Sequence, residues 1–320
     1  MEPVRWGILS TARINNAVLA GARQTTDPVT IVAVASRDRH RAESYAREHD
    51  IERAHGSYEA LLEDADVEAV YISLPNSLHV EWSIRALEAG KHVLCEKPFD
   101  KRPDAVERAF DTADRVQRLL MEAFMYRHHS QTLKLQELVA SGAIGELRQL
   151  RASFSFTLDD PQNVRLRPEL DGGALMDVGC YCVSGCRLLA GEPELVLGRQ
   201  RIGPTGVDIR FAGLLQFAGG VLAEFHCGFD LPYGSGLEAI GSEGSVLVRE
   251  PFICRDPHVE LNGERIEVED IDRYRLQMEN FSSAIRGDAQ PLLGRDDALG
   301  QAKTIAALYR SAESERAEAP

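Results

Sequence analysis

The residues with the most chemistry to offer stand in two short stretches far apart in the chain. The first is Glu96-Lys97-Pro98, directly after the apolar run Val93-Leu94-Cys95. Gly90 ends a helical pattern and the β-rich run after it predicts a short buried strand from His92 to Cys95. In an open parallel sheet, ligands bind in the crevice beyond the carboxyl ends of the strands, so Lys97 would point into that crevice. Pro98 biases Lys97 toward an extended backbone and removes one amide donor, which sets the direction of the turn. Taken alone, the tripeptide fits a surface Lys-Pro turn equally well. The second stretch is Gly172-Gly173-Ala174-Leu175-Met176-Asp177-Val178-Gly179-Cys180-Tyr181. Its paired glycines let backbone pass close to another group. Asp177 and Tyr181 follow at i and i+4, on one face of a helix. A carboxylate beside a phenol can serve substrate binding and proton transfer, or can be a local hydrogen bond.

The elements that must position these residues alternate at first. Val4 to Leu9 reads as a strand, a helix runs to about Gln24, and Val29 to Ala35 is a second apolar strand. The turn between them, Ser10-Thr11-Ala12-Arg13-Ile14-Asn15, is built of small residues at a helix start, where backbone amides and the helix dipole suit a pyrophosphate. Ser10, Ala12 and Asn15 stand where glycines are usual. At the end of the second strand, Ser36-Arg37 replaces the acidic residue that would hold a ribose 2′-hydroxyl, and Asp38 reads as the cap of the helix to His49. That favours NADP(H) over NAD(H). A short helix from Tyr58 to Leu62, a strand from Ala69 to Leu74, a Pro75-Asn76-Ser77 turn with Ser77 as helix cap, the helix to Ala89, the strand before Glu96, a helix from Pro103 to Gln117 and a strand from Leu119 to Tyr126 complete a doubly wound parallel sheet. Leu74-Pro75-Asn76 and Glu96-Lys97-Pro98 leave it on the edge shared with Ser10-Thr11-Ala12.

After a helix near Thr132 to Ser141 the pattern changes to strands: Leu147 to Leu158, Leu195 to Arg201, Ile209 to Phe217, Val221 to Phe229, Gly236 to Gly241 and Ser245 to Arg249. Hairpin composition at Ala218-Gly219-Gly220 and Ser242-Glu243-Gly244 predicts a large, mainly antiparallel open sheet in an α+β domain. Helices return at Tyr274 to Arg286 and Asp296 to Ser314. The expected division is a dinucleotide-binding domain over 1–122 and an α+β domain over 123–320, with the last helix free to pack back on the first. Phe211, Leu215, Phe217, Phe225 and Phe229 supply apolar area for a dimer surface or for ordinary core.

The totals narrow the function classes. The 320 residues are 44% hydrophobic and 27% charged, enough for two globular domains. A net charge of −14 excludes a broad nucleic-acid surface or an anionic membrane partner. No apolar run approaches the ~20 residues that span a bilayer, and the Met1-Glu2-Pro3-Val4-Arg5 start has no signal-peptide pattern, so a cytoplasmic location is expected. The six cysteines do not make a disulfide framework. Cys180, Cys182 and Cys186 match no zinc spacing, and no metal is expected. His128 and His129 suit proton transfer as a residue type, although lining or packing at a domain junction accounts for them better.

Together these motifs resemble the Gfo/Idh/MocA oxidoreductases, over nearly the whole chain. Trp6-Gly7-Ile8-Leu9-Ser10-Thr11-Ala12-Arg13-Ile14, Glu122-Ala123-Phe124-Met125-Tyr126-Arg127 and Tyr181 are most similar to the branch of dihydrodiol dehydrogenases and NADP-dependent xylose dehydrogenases. The resemblance implies a Rossmann domain followed by a substrate domain. It implies Lys97 and Tyr181 as the catalytic pair, with Asp177 orienting substrate. It also implies cofactor contacts from Ser10, Thr11, Ala12, Arg13, Ile14, Ser36, Arg37, Leu74, Pro75, Asn76, His79, Glu96, Lys97 and Arg165. The implied reaction moves hydride between NADP(H) and a sugar or cyclic polyol, such as an aldose oxidised to a lactone. A ketoreductase of a nucleotide-linked sugar and a dihydrodiol dehydrogenase share the same residues. A redox-neutral glycosidase and an NADP-sensing co-regulator are further members of the type, the latter disfavoured by retention of Lys97, Asp177 and Tyr181. A lysine ammonium within about 4–6 Å favours the ionised form of a phenol whose free pKa is near ~10, so such a pair can accept a hydroxyl proton. A homodimer or homotetramer through the second domain's sheet is expected.

Overall fold

A computed structural model describes residues 2–25 and 29–320; Met1, at the head of the segment expected to lead into the first strand, lies outside the described residues. The chain divides into two compact units, one of residues 1–100, 104–125 and 271–298, the other of 101–103, 126–270 and 299–320.

The first unit is a βα alternation. Its elements are β1 (Val4–Leu9), α1 (Asn15–Ala22), β2 (Val29–Ala35), α2 (Arg39–His49), β3 (Arg53–His55), α3 (Tyr58–Leu62), β4 (Ala69–Ile72), α4 (His79–Glu88), β5 (His92–Glu96), α5 (Pro103–Val116) and β6 (Leu120–Ala123). The strands form one parallel sheet in the order β3-β2-β1-β4-β5-β6. This is the doubly wound order, whose switch point lies between β1 and β4. The central strands are buried on both faces, as helices on either side require: Ile8, Leu9, Val70, Ile72, Val93 and Leu94 are all fully inaccessible. Asp38 caps α2, accepting from the Arg41 amide at 3.0 Å. Ser77 does not cap α4. A 3₁₀ turn over Asn76–Leu78 delivers the chain into the helix, so the start at His79 carries no side-chain cap. The strand expected to reach Tyr126 stops at Ala123, because a 3₁₀ turn takes over at Met125–His128.

The other unit contains α6 (Ser130–Ala140), β7 (Leu147–Thr157), α7 (Cys180–Ala190), β8 (Pro193–Ile202), β9 (Asp208–Phe217), β10 (Leu222–Gly228), β11 (Asp230–Gly241), β12 (Ser245–Val248), β13 (His258–Leu261) and β14 (Glu264–Glu267). These strands make an eight-stranded sheet, order β14-β13-β12-β11-β7-β10-β9-β8, antiparallel except for β10 on β7. The β13–β14 hairpin is absent from the sequence reading. Its signal was available: Asn262 and Gly263, at φ 52° and 84°, make the two-residue turn that an Asn-Gly pair favours. Phe211, Leu215, Phe217, Phe225 and Phe229 are each 4% exposed or less. They are core, on the face where α7 and the last helix lie. The opposite face exposes Leu214 and Leu222, by 52% and 55%. A depression of about 570 Å³ there is lined by Arg151, Leu214, Glu224, His226, Glu238 and Leu247, none of them among the expected site residues.

The tail is shared. The sequence division at residue 122 places the tail in the second domain with only the last helix free to pack back on the first, whereas it is residues 271–298 that cluster with the first unit. The reason is burial: α8 (Arg273–Arg286) lays Tyr274, Met278, Phe281 and Ala284 inward. Phe281 meets the ring of Trp6 at 5.8 Å, and Ser282 accepts from Trp6 Nε1 at 3.2 Å. Arg286 pairs with Glu68 at 2.9 Å. Gly21 of α1 sits so close to α8 that a Cβ there would come within 2.6 Å of the Arg275 nitrogen. Residues from Leu299 onward, most of α9 (Arg295–Ser314), belong with the second unit.

Candidate cofactor and substrate site

At the exit of β1, Ser10 has φ 131°, a conformation that glycine adopts freely and serine does not. Such strain costs about 1–3 kcal/mol and persists only where neighbours over-determine it. Here they do. Ser10 Oγ meets Ser73 Oγ at 2.8 Å and accepts from the Ala12 amide at 3.0 Å. Its carbonyl accepts from Asn15 Nδ2 at 2.9 Å, and Asn15 Oδ1 accepts from Ser73 Oγ at 2.6 Å. A buried triad thus ties the β1 exit, the α1 start and the β4 exit together. Two of the three glycine replacements, Ser10 and Asn15, belong to it; the third partner, Ser73, was missed because nothing local marks it. No side chain caps α1; the amides of Asn15, Asn16 and Ala17 donate instead to the carbonyls of Ala12, Arg13 and Ile14, so the turn of Thr11, Ala12, Arg13 and Ile14 winds directly into the helix. The positive end of the helix dipole faces this turn, which suits an anion.

At the β2 exit, the buried Ser36 hydroxyl accepts from the Asp38 amide at 3.2 Å. With its carboxylate on the α2 cap, Asp38 is committed to the helix. Exposed Arg37 reaches Tyr58: burial raises the Tyr58 pKa, while the charge and hydrogen bond of Arg37 and the charge of Arg41 oppose that rise. Two guanidinium groups therefore share this corner.

The β4 and β5 exits are linked by His79. Its ring is 1% exposed, with Nδ1 2.8 Å from the Pro98 carbonyl and Nε2 2.8 Å from the Leu74 carbonyl. Burial lowers the His79 pKa; the two carbonyls and the Asp100 charge act the other way. The ring thus sits between Leu74-Pro75-Asn76 and Lys97-Pro98, its single N–H in the neutral form donating to one of the two carbonyls. The Lys97–Pro98 peptide is cis. Glu96 accepts from the buried Tyr71 hydroxyl across the β4–β5 pair. Beyond Pro98, the Phe99 amide donates to Glu122 of β6 at 2.8 Å. Lys97 therefore projects from a backbone fixed on both sides.

In the second unit the paired glycines approach protein. A Cβ on Gly172 would lie 2.4 Å from the Arg165 carbonyl, and one on Gly173 2.2 Å from Asp208 Oδ1. The segment that follows is not a plain α-helix: Leu175–Gly179 form a π-helical turn, and α7 begins only at Cys180. Asp177 thus stands in the π-helical turn and Tyr181 in the first turn of α7. Arg165, expected at the cofactor, has its Nε 2.6 Å from Asp177 Oδ2. Tyr181 is 5% exposed, its ring 5.8 Å from Tyr126, 5.6 Å from Phe154 and 5.4 Å from Phe252.

Both His128 and His129 are buried. Burial, and then the Arg127 charge, push His128 down to about 3, so it is neutral near pH 7. His129 caps α6, accepting from the Gln131 amide at 3.2 Å. All six cysteines are buried thiols, and among the described residues no group of His, Cys, Asp or Glu is arranged to hold a metal. No helix among the described residues is long and apolar enough to cross a membrane.

Residues 4–124 match the oxidoreductase family with an NAD-binding Rossmann fold, GFO/IDH/MocA, and residues 132–247 match a GFO/IDH/MocA C-terminal domain. Among characterised relatives, the chain is 39% identical over 319 residues to a D-xylose 1-dehydrogenase (NADP(+)) of Haloferax volcanii, covering 97% of each. It is 35% identical over 269 residues to the trans-1,2-dihydrobenzene-1,2-diol dehydrogenase of Mus musculus, covering 82% of this chain and 79% of that one. A solved 3-ketoreductase from Actinomadura kijaniata, in complex with NADP and TDP-benzene, superimposes with a TM-score of 0.90 at 32% identity, over 97% of this chain and 98% of that one. With both segments matched and a relative 39% identical over 97% of each chain, the chain belongs to the GFO/IDH/MocA family of oxidoreductases.

Proposed function

We propose that this protein is an NADP(H)-dependent dehydrogenase that oxidises a sugar or cyclic polyol at a CH–OH carbon, an aldose to its lactone being the first case to test. The observation that carries the cofactor choice is at the β2 exit, where Asp38 is spent on a helix cap and Arg37 and Arg41 share one corner. The glycine-like Ser10 and the small Ala12, ahead of the positive end of the α1 dipole, fit a pyrophosphate. Bound NADP would supply the hydride acceptor. The protein's own task is placement and proton handling. Tyr181 takes the hydroxyl proton, Lys97 holds the developing negative charge on the substrate oxygen, and Asp177, oriented by Arg165, positions the substrate. Thr11, Arg13, Ile14, Ser36, Leu74, Pro75, Asn76 and Glu96 shape the dinucleotide's seat, with His79 acting through the backbone it ties.

Replacing Arg37 with Ala should raise the KM for NADP about tenfold or more, the worth of a charged hydrogen bond, and leave the KM for NAD little changed. Equal effects on the two dinucleotides would sink the 2′-phosphate assignment. The substrate is tested by following reduced nicotinamide absorbance with pentoses, hexoses, inositols and dihydrodiols against both dinucleotides. A second reading, reduction of a nucleotide-linked keto sugar, is supported by the near full-length likeness to the 3-ketoreductase. It predicts turnover with a nucleotide-linked sugar and none with free aldoses.

The proposal includes self-association through the open face of the eight-stranded sheet, supported by Leu214 and Leu222, which stand more than half exposed there. Light scattering should return a dimer or tetramer mass, and Leu214→Glu should lower it. A monomeric mass for the unaltered chain would refute this.

A further inference from the structure

The π-helical turn that carries Asp177 has no side-chain cap of its own, yet its first amides are buried. The group that satisfies them comes from β9. Asp208, 3% exposed, accepts from the Leu175 amide at 2.7 Å through Oδ2, and the Ala174 amide also donates to it. Its Oδ1 accepts from the Tyr309 hydroxyl of α9 at 2.9 Å. The carboxylate fills the space where a side chain on residue 173 would stand, so Gly173, at φ 129°, is part of the same fitting. The far end of the turn is held from α9 as well. Gln301 Nε2 donates to the Cys180 carbonyl at 2.7 Å, and Gln301 Oε1 accepts from Arg187 at 3.0 Å. Arg187, nearly inaccessible, is in turn gripped by Glu192 at 2.9 and 2.6 Å. Both ends of the turn between Leu175 and Cys180 are thus fixed to one helix by polar contacts formed across more than 100 residues of chain.

We propose that Asp208 and Tyr309 are a positioning pair for catalysis: through the amides of Ala174 and Leu175 they set the π-turn, and with it Asp177 and Tyr181, in the geometry that proton transfer uses. The role rests on Tyr181 being the proton carrier. Neither residue of the pair touches the reacting atoms in this scheme. They act through the backbone.

Asp208 also titrates. Burial pushes Asp208 up to about 6, against the opposing pull of the Leu175 and Ala174 amides and the Tyr309 hydroxyl. The other ionisable groups facing this corner are the Cys227 thiol of β10, which burial holds well above its usual range, and Asp171, whose charge acts on Tyr309. Lys101 pairs with Asp171 at 2.8 Å and stands 5.7 Å over the Tyr309 ring, and Arg102 is 3.5 Å from the same carboxylate. Above about pH 6 the ionised carboxylate accepts charge-assisted hydrogen bonds from the turn. Below it the neutral acid holds them more weakly, and the turn loosens.

Asp208→Asn keeps the shape and removes the charge. The expected ratio of wild-type to variant kcat is near one at pH 5 and rises to about tenfold at pH 8, with the KM for NADP unchanged. Hydrogen exchange at pH 7.5 should accelerate at the amides of residues 174–181 by about tenfold while the rest of the chain exchanges as in the wild type. Should Asp208→Asn fail to fold, Tyr309→Phe serves: it deletes one donor to the carboxylate, so the acid limb of the kcat profile moves to higher pH. A kcat ratio that does not vary with pH overturns the proposal. So does an exchange rate that is unchanged, or raised uniformly along the chain. Failure of the underlying reading shows elsewhere, as full turnover in Tyr181→Phe, and is thereby told apart from failure of the pair.

Discussion

Tyr181→Phe lowers kcat by about 10²–10⁴-fold, the worth of a positioned acid–base group, and leaves the melting temperature close to that of the parent. The physical case rests on what the substitution removes. The Tyr181 ring sits within 5.4–5.8 Å of Tyr126, Phe154 and Phe252, a cluster of aromatic pairs that phenylalanine reproduces. Only the hydroxyl is lost. The hydride still has an acceptor, but the substrate hydroxyl has no base at hand, so the effect falls on kcat rather than on the KM for the dinucleotide. Pre-steady-state and steady-state rates with saturating NADP measure this directly. Turnover within a few-fold of the parent would remove Tyr181 from the chemistry.

Lys97→Ala should cost a similar 10²–10⁴-fold, by another route. The lysine is a donor and a fixed charge at the oxygen that becomes negative in the transition state. Its backbone stays in place without it: Tyr71 holds Glu96, His79 holds the Pro98 carbonyl, and Glu122 holds the Phe99 amide. The variant should therefore fold normally, bind dinucleotide with little change and fail at turnover. Lys97→Arg keeps the charge but not the compact ammonium, and should recover only part of the rate. If Lys97→Ala loses dinucleotide affinity as steeply as turnover, the lysine is a binding residue and the proton scheme needs another charge.

Much of the first unit was legible because its signals are local. The apolar run Val29–Ala35 and the segment Tyr58–Leu62 appear in the structure with the bounds their residues imply, and Asp38 caps α2 as its position before a helical run requires. Glu96-Lys97-Pro98 leaves a buried parallel strand, as the pattern before it demanded. Hydrophobic period and cap residues act over a few positions, and a reader of the chain sees all the parts at once. Even there, local reading stopped at ambiguous junctions. Ser77 had the composition of a cap, but a 3₁₀ turn placed the helix start two residues later.

The rest was settled by partners distant along the chain. Nothing near Ser10 says that Asn15 and Ser73 will hold it at φ 131°, and nothing near Gly173 announces a carboxylate from Asp208. The π-turn has no signature in its own residues; it is stable where it is because Asp208 of β9, held by Tyr309, satisfies the amides at one end and Gln301 of α9 the carbonyl at the other. Likewise α8 joins the first unit because Trp6, Glu68 and Gly21 offer it a ring, a charge and a close approach. Residue types and short-range periodicity therefore dictated the strands, the helices and which side chains carry chemistry. The orientation of those side chains came from buried polar contacts that close only when the tertiary structure does, because a buried donor or acceptor must be paired and its nearest partner in space is seldom its neighbour in sequence.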